Sequence, residues 1–174
     1  MSKLIQRLDS LNQKRGYEYD AAGRLKVTSY YRSDNHGSPV KTVLFDYDKL
    51  GNLISYGDGE SSGAYEYDDL SRKLLETVNY GPFTKSIGYA YYANGAKKSF
   101  TGPDGAIYSY TYDLGNRPSS IDIPGVGQIT YNTYQWTRPT LITLPGGSRK
   151  EMSYDPLMRI KALTAKDPGG NPVL

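Results

Sequence analysis

The chain has 174 residues, which favours a single domain, and its formal net charge of +3 is too small to indicate nucleic acid or an anionic membrane as a partner. The sequence contains no cysteine, which excludes a disulfide framework and a cysteine nucleophile, and no run of about 18 apolar residues that would predict a transmembrane helix. With 18 tyrosines and 19 glycines, the composition predicts an all-β chain that is rich in turns.

Residues 1–14 are a lead-in whose structure the sequence leaves open. Leu4, Leu8 and Leu11 have the spacing of a helical stripe, yet a strand that enters a first hairpin fits equally well. Lys3 and Arg7 are not followed by an apolar run. We therefore expect no secretory signal peptide in this segment.

One motif recurs along the chain between residues 17 and 160. It consists of an aromatic residue, any residue, Tyr, Asp, two further residues, Gly, a polar residue and Leu. About seven such units, of roughly twenty residues each, fill this range. The motif residues expected to carry the structure are Tyr17, Tyr19, Asp20, Gly23, Phe45, Tyr47, Asp48, Gly51, Tyr65, Tyr67, Asp68, Tyr89, Tyr91, Gly95, Tyr110, Tyr112, Asp113, Gly115, Tyr154 and Asp155.

The copies differ in ways that carry structural expectations. The third copy has Ser71 in place of the glycine, the fourth has Tyr92 in place of the aspartate, and the fifth, which reaches its glycine at Gly115, reads as one residue shorter. A degenerate sixth copy is expected at residues 131–138. The last copy has Pro156 in the turn and lacks the glycine, so we expect a different turn there.

Each copy is predicted to form a β-hairpin. In Tyr-x-Tyr both rings lie on one face of a strand, because side chains alternate. Asp20 is expected to start a type I turn that ends at Gly23, with the glycine in the left-handed conformation of a G1 bulge. Tyrosines at equivalent positions of neighbouring hairpins then form ladders across the sheet, and each aromatic pair contributes about 0.5–1 kcal/mol.

A second set of turns connects the hairpins. These turns are rich in Gly, Pro, Asp and Asn and lie at residues 34–37, 57–59, 81–82, 103–105, 124–127 and 145–147. Seven units give about fourteen strands, which predicts a long, twisted and curved antiparallel sheet as one region over residues 1–174. Residues 161–174 read as the start of a further repeat that is cut short.

The recurring Tyr-x-Tyr-Asp-x-x-Gly-Arg-Leu resembles the YD repeat of RHS (rearrangement hot spot) proteins, and the resemblance covers residues 17–160. It implies a segment of a β-shell that encloses a C-terminal toxin domain, in a bacterial polymorphic toxin or in the C component of an insecticidal toxin complex. It also implies that the chain is made in the bacterial cytoplasm and is secreted as part of the toxin, by type VI secretion or toxin-complex translocation.

The family's shells end in a self-cleavage motif that contains Asp-Pro-x-Gly-Leu. Residues 167–170 match its beginning, but Asn171 stands in the place of Leu, and Ala162 stands in the place of an upstream proline. We therefore interpret residues 167–171 as an ordinary inter-repeat turn.

Three classes of function are compatible with such a sheet. A structural wall segment needs no catalytic group, and its partners are the enclosed toxin domain and further repeats or other copies of the chain, joined by edge-strand pairing. The alternative is a carbohydrate- or cell-surface-binding module that uses exposed tyrosines. Catalysis is not expected, because the aspartates begin turns and His36 is a lone loop histidine. We expect no cofactor, no metal and no nucleic acid.

Overall fold

The computed structural model describes residues 3–173, which form fifteen antiparallel strands in one open sheet. The order of the strands across the sheet is their order along the chain. The strands are β1 (Gln6–Leu8), β2 (Lys14–Tyr19), β3 (Leu25–Tyr30), β4 (Lys41–Tyr47), β5 (Leu53–Gly57), β6 (Ser62–Tyr67), β7 (Lys73–Asn79), β8 (Thr84–Tyr91), β9 (Lys97–Thr101), β10 (Ile107–Tyr112), β11 (Pro118–Ile123), β12 (Gly127–Gln135), β13 (Arg138–Thr143), β14 (Arg149–Tyr154) and β15 (Ile160–Lys166). This confirms the predicted all-β, antiparallel fold class.

The lead-in contains a strand and not a helix. In β1, Gln6 lies opposite Gly16 and Leu8 lies opposite Lys14, so β1 adds one strand to the fourteen expected. A helix does not form here because Leu4, Leu8 and Leu11 are all exposed, and the apolar face of a helix would have nothing to pack against. Met1 and Ser2, the beginning of the lead-in, lie outside the described residues.

The last hairpin extends beyond the motif. Residues 161–166 belong to β15, which pairs with β14 from Tyr154 opposite Ile160 to Arg149 opposite Lys166. The chain then turns at residues 167–171, as expected for an inter-repeat turn, and the Val173 N–H donates to the Ala165 carbonyl oxygen at 2.9 Å. Residues 161–166 are therefore the return strand of the last hairpin, and the start of a further repeat, expected from residue 161, could lie only at this turn or after it. Leu174 lies outside the described residues.

The chain divides into two compact units, one up to Ile87 and one from Gly88. Among residues 3–173 no hydrophobic side chain is buried, and the buried polar residues are Thr28, Ser29 and Ser120. The sheet therefore has no hydrophobic core of its own within this range. Its side chains are stabilised by neighbours along the same face of the sheet.

The two faces of the sheet differ in composition within each unit. In the first unit, Phe45 lies opposite Tyr56 on one face, whereas Ser55 lies opposite Ala64 on the other. In the second unit, Phe100 lies opposite both Tyr89 and Tyr108, and Ser99 lies opposite Ala90 and Ser109. We call the aromatic side the tyrosine face; it carries Tyr17, Tyr19, Phe45, Tyr47, Tyr56, Tyr65 and Tyr67 in the first unit and Tyr89, Tyr91, Phe100, Tyr108, Tyr110, Tyr112, Tyr131 and Tyr154 in the second.

The remaining regular element is a single 3-10 turn at Pro145–Gly147, before β14. Across residues 3–173 there is thus no helix with the length and apolar character needed to span a membrane.

Candidate functional site: the repeated hairpin contacts

The tight turns of the repeats share one backbone geometry. In the first copy, the Gly23 N–H donates to the Asp20 carbonyl oxygen at 2.8 Å, and the Asp20 N–H donates to the Arg24 carbonyl oxygen at 2.9 Å. Gly23 has a φ of +82°, and Gly51 in the second copy has a φ of +93°. The strand register shifts just before the first turn, between Glu18 and Tyr19. These observations confirm the predicted left-handed glycine and its bulge.

The same turn forms where the glycine is replaced. Ser71, Asn116 and Met158 have φ values of +60°, +58° and +61°. Each of them donates its N–H to the carbonyl oxygen of the aspartate that begins its turn. The different turn expected around Pro156 is therefore wrong. The proline fits the second position of the common turn, and the turn's hydrogen bonds hold Met158 in a conformation that L-residues rarely adopt.

The fifth copy has a turn of full length, so the expectation that it is one residue shorter is wrong. Asn116 occupies the left-handed position, and the Asp113 N–H donates to the Arg117 carbonyl oxygen at 2.9 Å, which is the span seen from Asp20 to Arg24. Gly115 lies one residue earlier, and its N–H donates to Asp113 Oδ1 at 2.9 Å. Gly115 was taken for the left-handed residue of the motif, but Asn also tolerates the left-handed region, and Asn116 occupies that position.

The degenerate sixth copy forms a hairpin with a shorter connection. Gln135 at the end of β12 lies opposite Arg138 at the start of β13. The two residues between them include Trp136, which has a φ of +58°. Trp136 is 82% exposed, so its ring extends from the edge of the sheet into solvent.

A side-chain contact, which we call the turn clasp, closes the tight turns. Asp20 Oδ1 accepts the backbone N–H of Arg24 at 2.8 Å, and Oδ2 accepts Nε of the same arginine at 2.7 Å. The equivalent pairs are Asp48 with Asn52, Asp68 with Arg72, Asp113 with Arg117 and Asp155 with Arg159. The same contact, between Asp167 and Asn171, also closes the inter-repeat turn after β15. The aspartates were predicted to have only a backbone role. Their side-chain partner was not predicted, although the polar position of the motif, four residues after the aspartate, was a signal for it.

The turn clasp keeps its aspartates ionised. The hydrogen bond from the Arg117 side chain, followed by the one from its backbone N–H, lowers the pKa of Asp113 below its ordinary value. The backbone N–H of Arg159 has the largest part in lowering the pKa of Asp155. A general acid must hold a proton near neutral pH, so a carboxyl group with a lowered pKa is poorly suited to that role.

The second tyrosine of the motif joins neighbouring hairpins. The Tyr47 hydroxyl donates to the Leu25 carbonyl oxygen at 2.9 Å. Pairing between β3 and β4 begins only at Val27 opposite Leu44, so this carbonyl lies beyond the end of the ladder. The hydroxyl therefore takes the place of a strand-to-strand hydrogen bond. The same contact joins Tyr67 to Leu53, Tyr134 to Pro118 and Tyr154 to Pro139.

Arginines of the turn clasp also reach the next hairpin. Arg24 Nη1 donates to the Asp48 carbonyl oxygen at 2.8 Å, and its guanidinium lies 4.9 Å from the centre of the Tyr47 ring. In the second unit, Arg117 Nη1 donates to the Trp136 carbonyl oxygen at 2.8 Å. The planar guanidinium can bind a carboxylate, a carbonyl and a ring face at once. One arginine thus ties its own turn to the following one.

The aromatic rings pack in local groups within each unit. The Phe100 ring lies between Tyr89, at 5.8 Å, and Tyr108, at 5.7 Å between ring centres. In the first unit, the Tyr56 and Tyr65 rings are 6.1 Å apart. All the expected motif aromatics lie on the tyrosine face and are partly exposed. These spacings are those of interacting aromatic pairs. The pairs lie within one hairpin or across a connecting turn, so the ladder of tyrosines at equivalent positions of neighbouring hairpins stays a prediction.

The structure does not gather the motif aspartates into one centre. Each of them begins a different turn and is bound by the residue four positions later. His36 Nε2 lies 2.8 Å from the Asn12 carbonyl oxygen, so this ring bridges two loops. Within residues 3–173 there is no group of three or more acidic, histidine or cysteine side chains that could hold a metal ion. The contacts described here are suited to joining hairpins.

Solved structures with the same fold occur among toxin complexes. The crystal structure of TcdB2-TccC3-Cdc42 has a TM-score of 0.80 and 13% identity, covering 97% of this chain and 10% of that chain. A Photorhabdus luminescens Tc holotoxin pore with a mutated TccC3 has a TM-score of 0.80 and 14% identity, covering 97% and 10%. The crystal structure of TcdB2-TccC3 without its hypervariable C-terminal region has a TM-score of 0.79 and 13% identity, covering 96% and 10%.

These similarities establish the fold of the chain. They support the RHS/YD-repeat resemblance at the level of the fold, an antiparallel β-sheet that is also present in these toxin-complex chains. No protein-family model and no curated protein matches the sequence. The chain spans about a tenth of the length of the toxin-complex chains that it resembles.

Proposed function

We propose that the chain is a wall segment of an RHS-type toxin shell, which encloses or scaffolds a C-terminal toxin domain and performs no catalysis itself. The observation that carries this proposal is the contact from one hairpin to the next, which recurs beside the tight turns of the repeats. The Tyr47 hydroxyl and the Arg24 guanidinium, for example, both cross from one hairpin to the next. Contacts of this kind strengthen a sheet along its length, which is the property that a wall requires.

The burial pattern supports the same role. A self-contained domain of this size normally buries apolar side chains between two layers. Here no hydrophobic side chain among residues 3–173 is buried, and large apolar side chains such as Leu50, Leu70 and Leu114 are exposed at the turns. A sheet of this kind is completed by neighbours, which we take to be further repeats, other copies of the chain, or the enclosed toxin domain.

The delivery and location of the chain belong to the same proposal. A wall segment travels with the toxin that it encloses, so we propose that the chain is made in the bacterial cytoplasm and exported as part of a delivered toxin. The similarity to TcdB2-TccC3 chains and to a Tc holotoxin pore supports toxin-complex delivery over type VI secretion.

The hydroxyl contacts favour a wall over a carbohydrate-binding surface. A sugar platform uses the tyrosine hydroxyl both as a donor and as an acceptor, but the hydroxyls of Tyr47, Tyr67 and Tyr154 already donate to backbone carbonyl oxygens. Each of these side chains therefore has its donor engaged in holding the sheet together.

Electron cryo-microscopy of the gene product that carries these residues, purified with the products of adjacent genes, tests the proposal. We expect residues 3–173 to form part of a continuous β-wall around an enclosed volume, with further strands paired to β15. A sheet that stands outside any enclosure, with both edge strands unpaired, would contradict the proposal.

A further inference from the structure

A cavity of about 440 Å³ lies in the first unit. Its lining residues come from β1, from β2 and the turn before it, from the end of β3 and from the segment after β3. Its volume is within the range of small-molecule sites. Its charged lining residues are Arg7, Lys14, Arg15, Arg32 and Asp9, and its aromatic lining residues are Tyr30 and Tyr31. The cavity is therefore strongly cationic, although the chain as a whole carries a formal charge of only +3.

Two of these arginines face each other directly. Arg7 in β1 lies opposite Arg15 in β2, and like charges directly opposite each other in an antiparallel pair are destabilising. Among residues 3–173, neither arginine forms an ion pair with a carboxylate. The Arg15 guanidinium lies 4.9 Å from the centre of the Tyr30 ring, which orients it beside the cavity. Both side chains are exposed, and the pair thus presents two positive charges that no carboxylate of this range neutralises.

The single carboxylate of the lining does not neutralise this charge. Asp9 Oδ1 accepts the backbone N–H groups of Leu11 and Gln13, each at 2.9 Å, so it serves the turn between β1 and β2. Lys14 Nζ lies 3.8 Å from the centre of the Tyr31 ring and donates to the His36 carbonyl oxygen at 2.5 Å. Asp9 and Lys14 are thus engaged in contacts of their own, and Arg32 pairs with Asp34, so the two opposed arginines are the lining cations without such a partner.

We propose that this cavity binds a small organic molecule that carries a phosphate or sulfate group. The forked guanidinium groups of Arg7 and Arg15 match the oxygens of such an anion, and binding relieves the repulsion between them. Tyr30, directly opposite Arg15 in the register, contacts that guanidinium with its ring and places an aromatic surface beside it for the organic part of the ligand. This site is separate from the hairpin contacts that hold the wall together, and a purely structural segment does not need it.

Isothermal titration calorimetry on the 174-residue chain tests the site, with glucose 6-phosphate, glucose 6-sulfate and glucose as the three probes. We expect both charged sugars to bind and glucose to give no signal. The stronger of the two charged probes identifies the oxyanion that the site prefers. The affinity should fall as NaCl is added, because the contact is between charges.

The variant Arg15→Gln should weaken binding of the charged sugars at least tenfold. It should leave the melting temperature of the free protein close to that of the parent, because it removes a like-charge pair and, with it, the contact between Arg15 and the Tyr30 ring. Arg149→Gln, which changes an exposed arginine of β14 in the other unit, is the matched control and should bind like the parent. Arg7→Gln provides the same test if Arg15→Gln does not fold.

Two results would overturn the proposal. One is the absence of binding by either charged sugar at millimolar concentration. The other is equal binding by the parent and by a folded Arg15→Gln or Arg7→Gln variant. A charged sugar that raises the melting temperature of the parent, and not that of the variant, would support it.

Discussion

The hydroxyl group of Tyr47 is the simplest contact to remove without disturbing the packing of the sheet. The substitution Tyr47→Phe keeps the ring, which lies 4.9 Å from the Arg24 guanidinium, and deletes only the 2.9 Å hydrogen bond to the Leu25 carbonyl oxygen. Loss of one such bond from a partly buried carbonyl costs about 1 kcal/mol of unfolding free energy. For a chain of this size, that corresponds to a melting temperature about 2–4 °C lower.

Urea unfolding, followed by circular dichroism, measures this change. We expect the midpoint urea concentration to fall while the slope of the transition is unchanged, because the substitution alters a contact and not the surface exposed on unfolding. Tyr67→Phe removes the equivalent bond to Leu53 and should give a change of similar size.

Tyr80→Phe is the matched control. Tyr80 is 52% exposed, its ring stacks on Phe83 at 5.0 Å between ring centres, and its hydroxyl contacts no described hydrogen-bond partner. This variant should unfold like the parent. If Tyr47→Phe also unfolded like the parent, the hydroxyl contacts would contribute nothing to the joining of hairpins, and our reasoning would be wrong.

Three further predictions concern the turns. Gly51→Val should lower the free energy of unfolding by about 1–2 kcal/mol, because a side chain is strained at a φ of +93°. The added Cβ meets nothing within 4 Å, so this strain is the whole penalty, and an unchanged melting temperature would contradict it. Met158→Gly should stabilise the chain by about 0.5–1 kcal/mol, because it relieves the same strain at a φ of +61°. Thermal unfolding should show a higher melting temperature, and a lower one would contradict the prediction. Stability should also fall with acidification below about pH 4, because the lowered pKa of Asp113 favours its charged form in the folded state and this contribution disappears as the carboxylate is protonated. Denaturant midpoints between pH 7 and pH 2 should fall more for the parent than for Asp113→Asn, and parallel losses would refute the role of the turn clasp.

The hairpin repeat could be predicted because its determinants are local. Asp20 and Gly23 encode a tight turn within four residues, and Tyr-x-Tyr encodes which side chains share a face. The left-handed conformations of Met158 and Ser71 could not be predicted in the same way. They depend on backbone hydrogen bonds that hold a residue with no intrinsic preference for that region, so the motif's glycine was an incomplete guide.

The contacts between hairpins lay beyond the sequence analysis for a different reason. The bond from Arg24 to the Asp48 carbonyl oxygen joins residues 24 positions apart, and the one from Arg117 to Trp136 joins residues 19 positions apart. Their formation depends on the strand register, which is set by connecting turns of variable length. The sequence does contain a recurring Arg or Asn four residues after each aspartate of the turn clasp. That this side chain binds the aspartate became evident only from the structure.

The central claim is that the sheet is completed by neighbours at its edges. The Ala165 carbonyl oxygen accepts a bond from Val173, away from β14, so alternate residues of β15, including Leu163, direct their N–H and C=O groups outward. Leu163 is 59% exposed. Leu163→Pro removes one outward donor and leaves the pairing with β14 in place, whereas Ala162→Pro removes an inward donor and should disrupt the last hairpin.

Light scattering coupled to size-exclusion chromatography on the purified chain tests this claim most directly. We predict a mass of at least twice 19.3 kDa for the parent, and a shift towards 19.3 kDa for Leu163→Pro with its strand content retained. A parent chain that stays monomeric at every concentration would show that the sheet needs no neighbour, and would contradict the account of a wall segment.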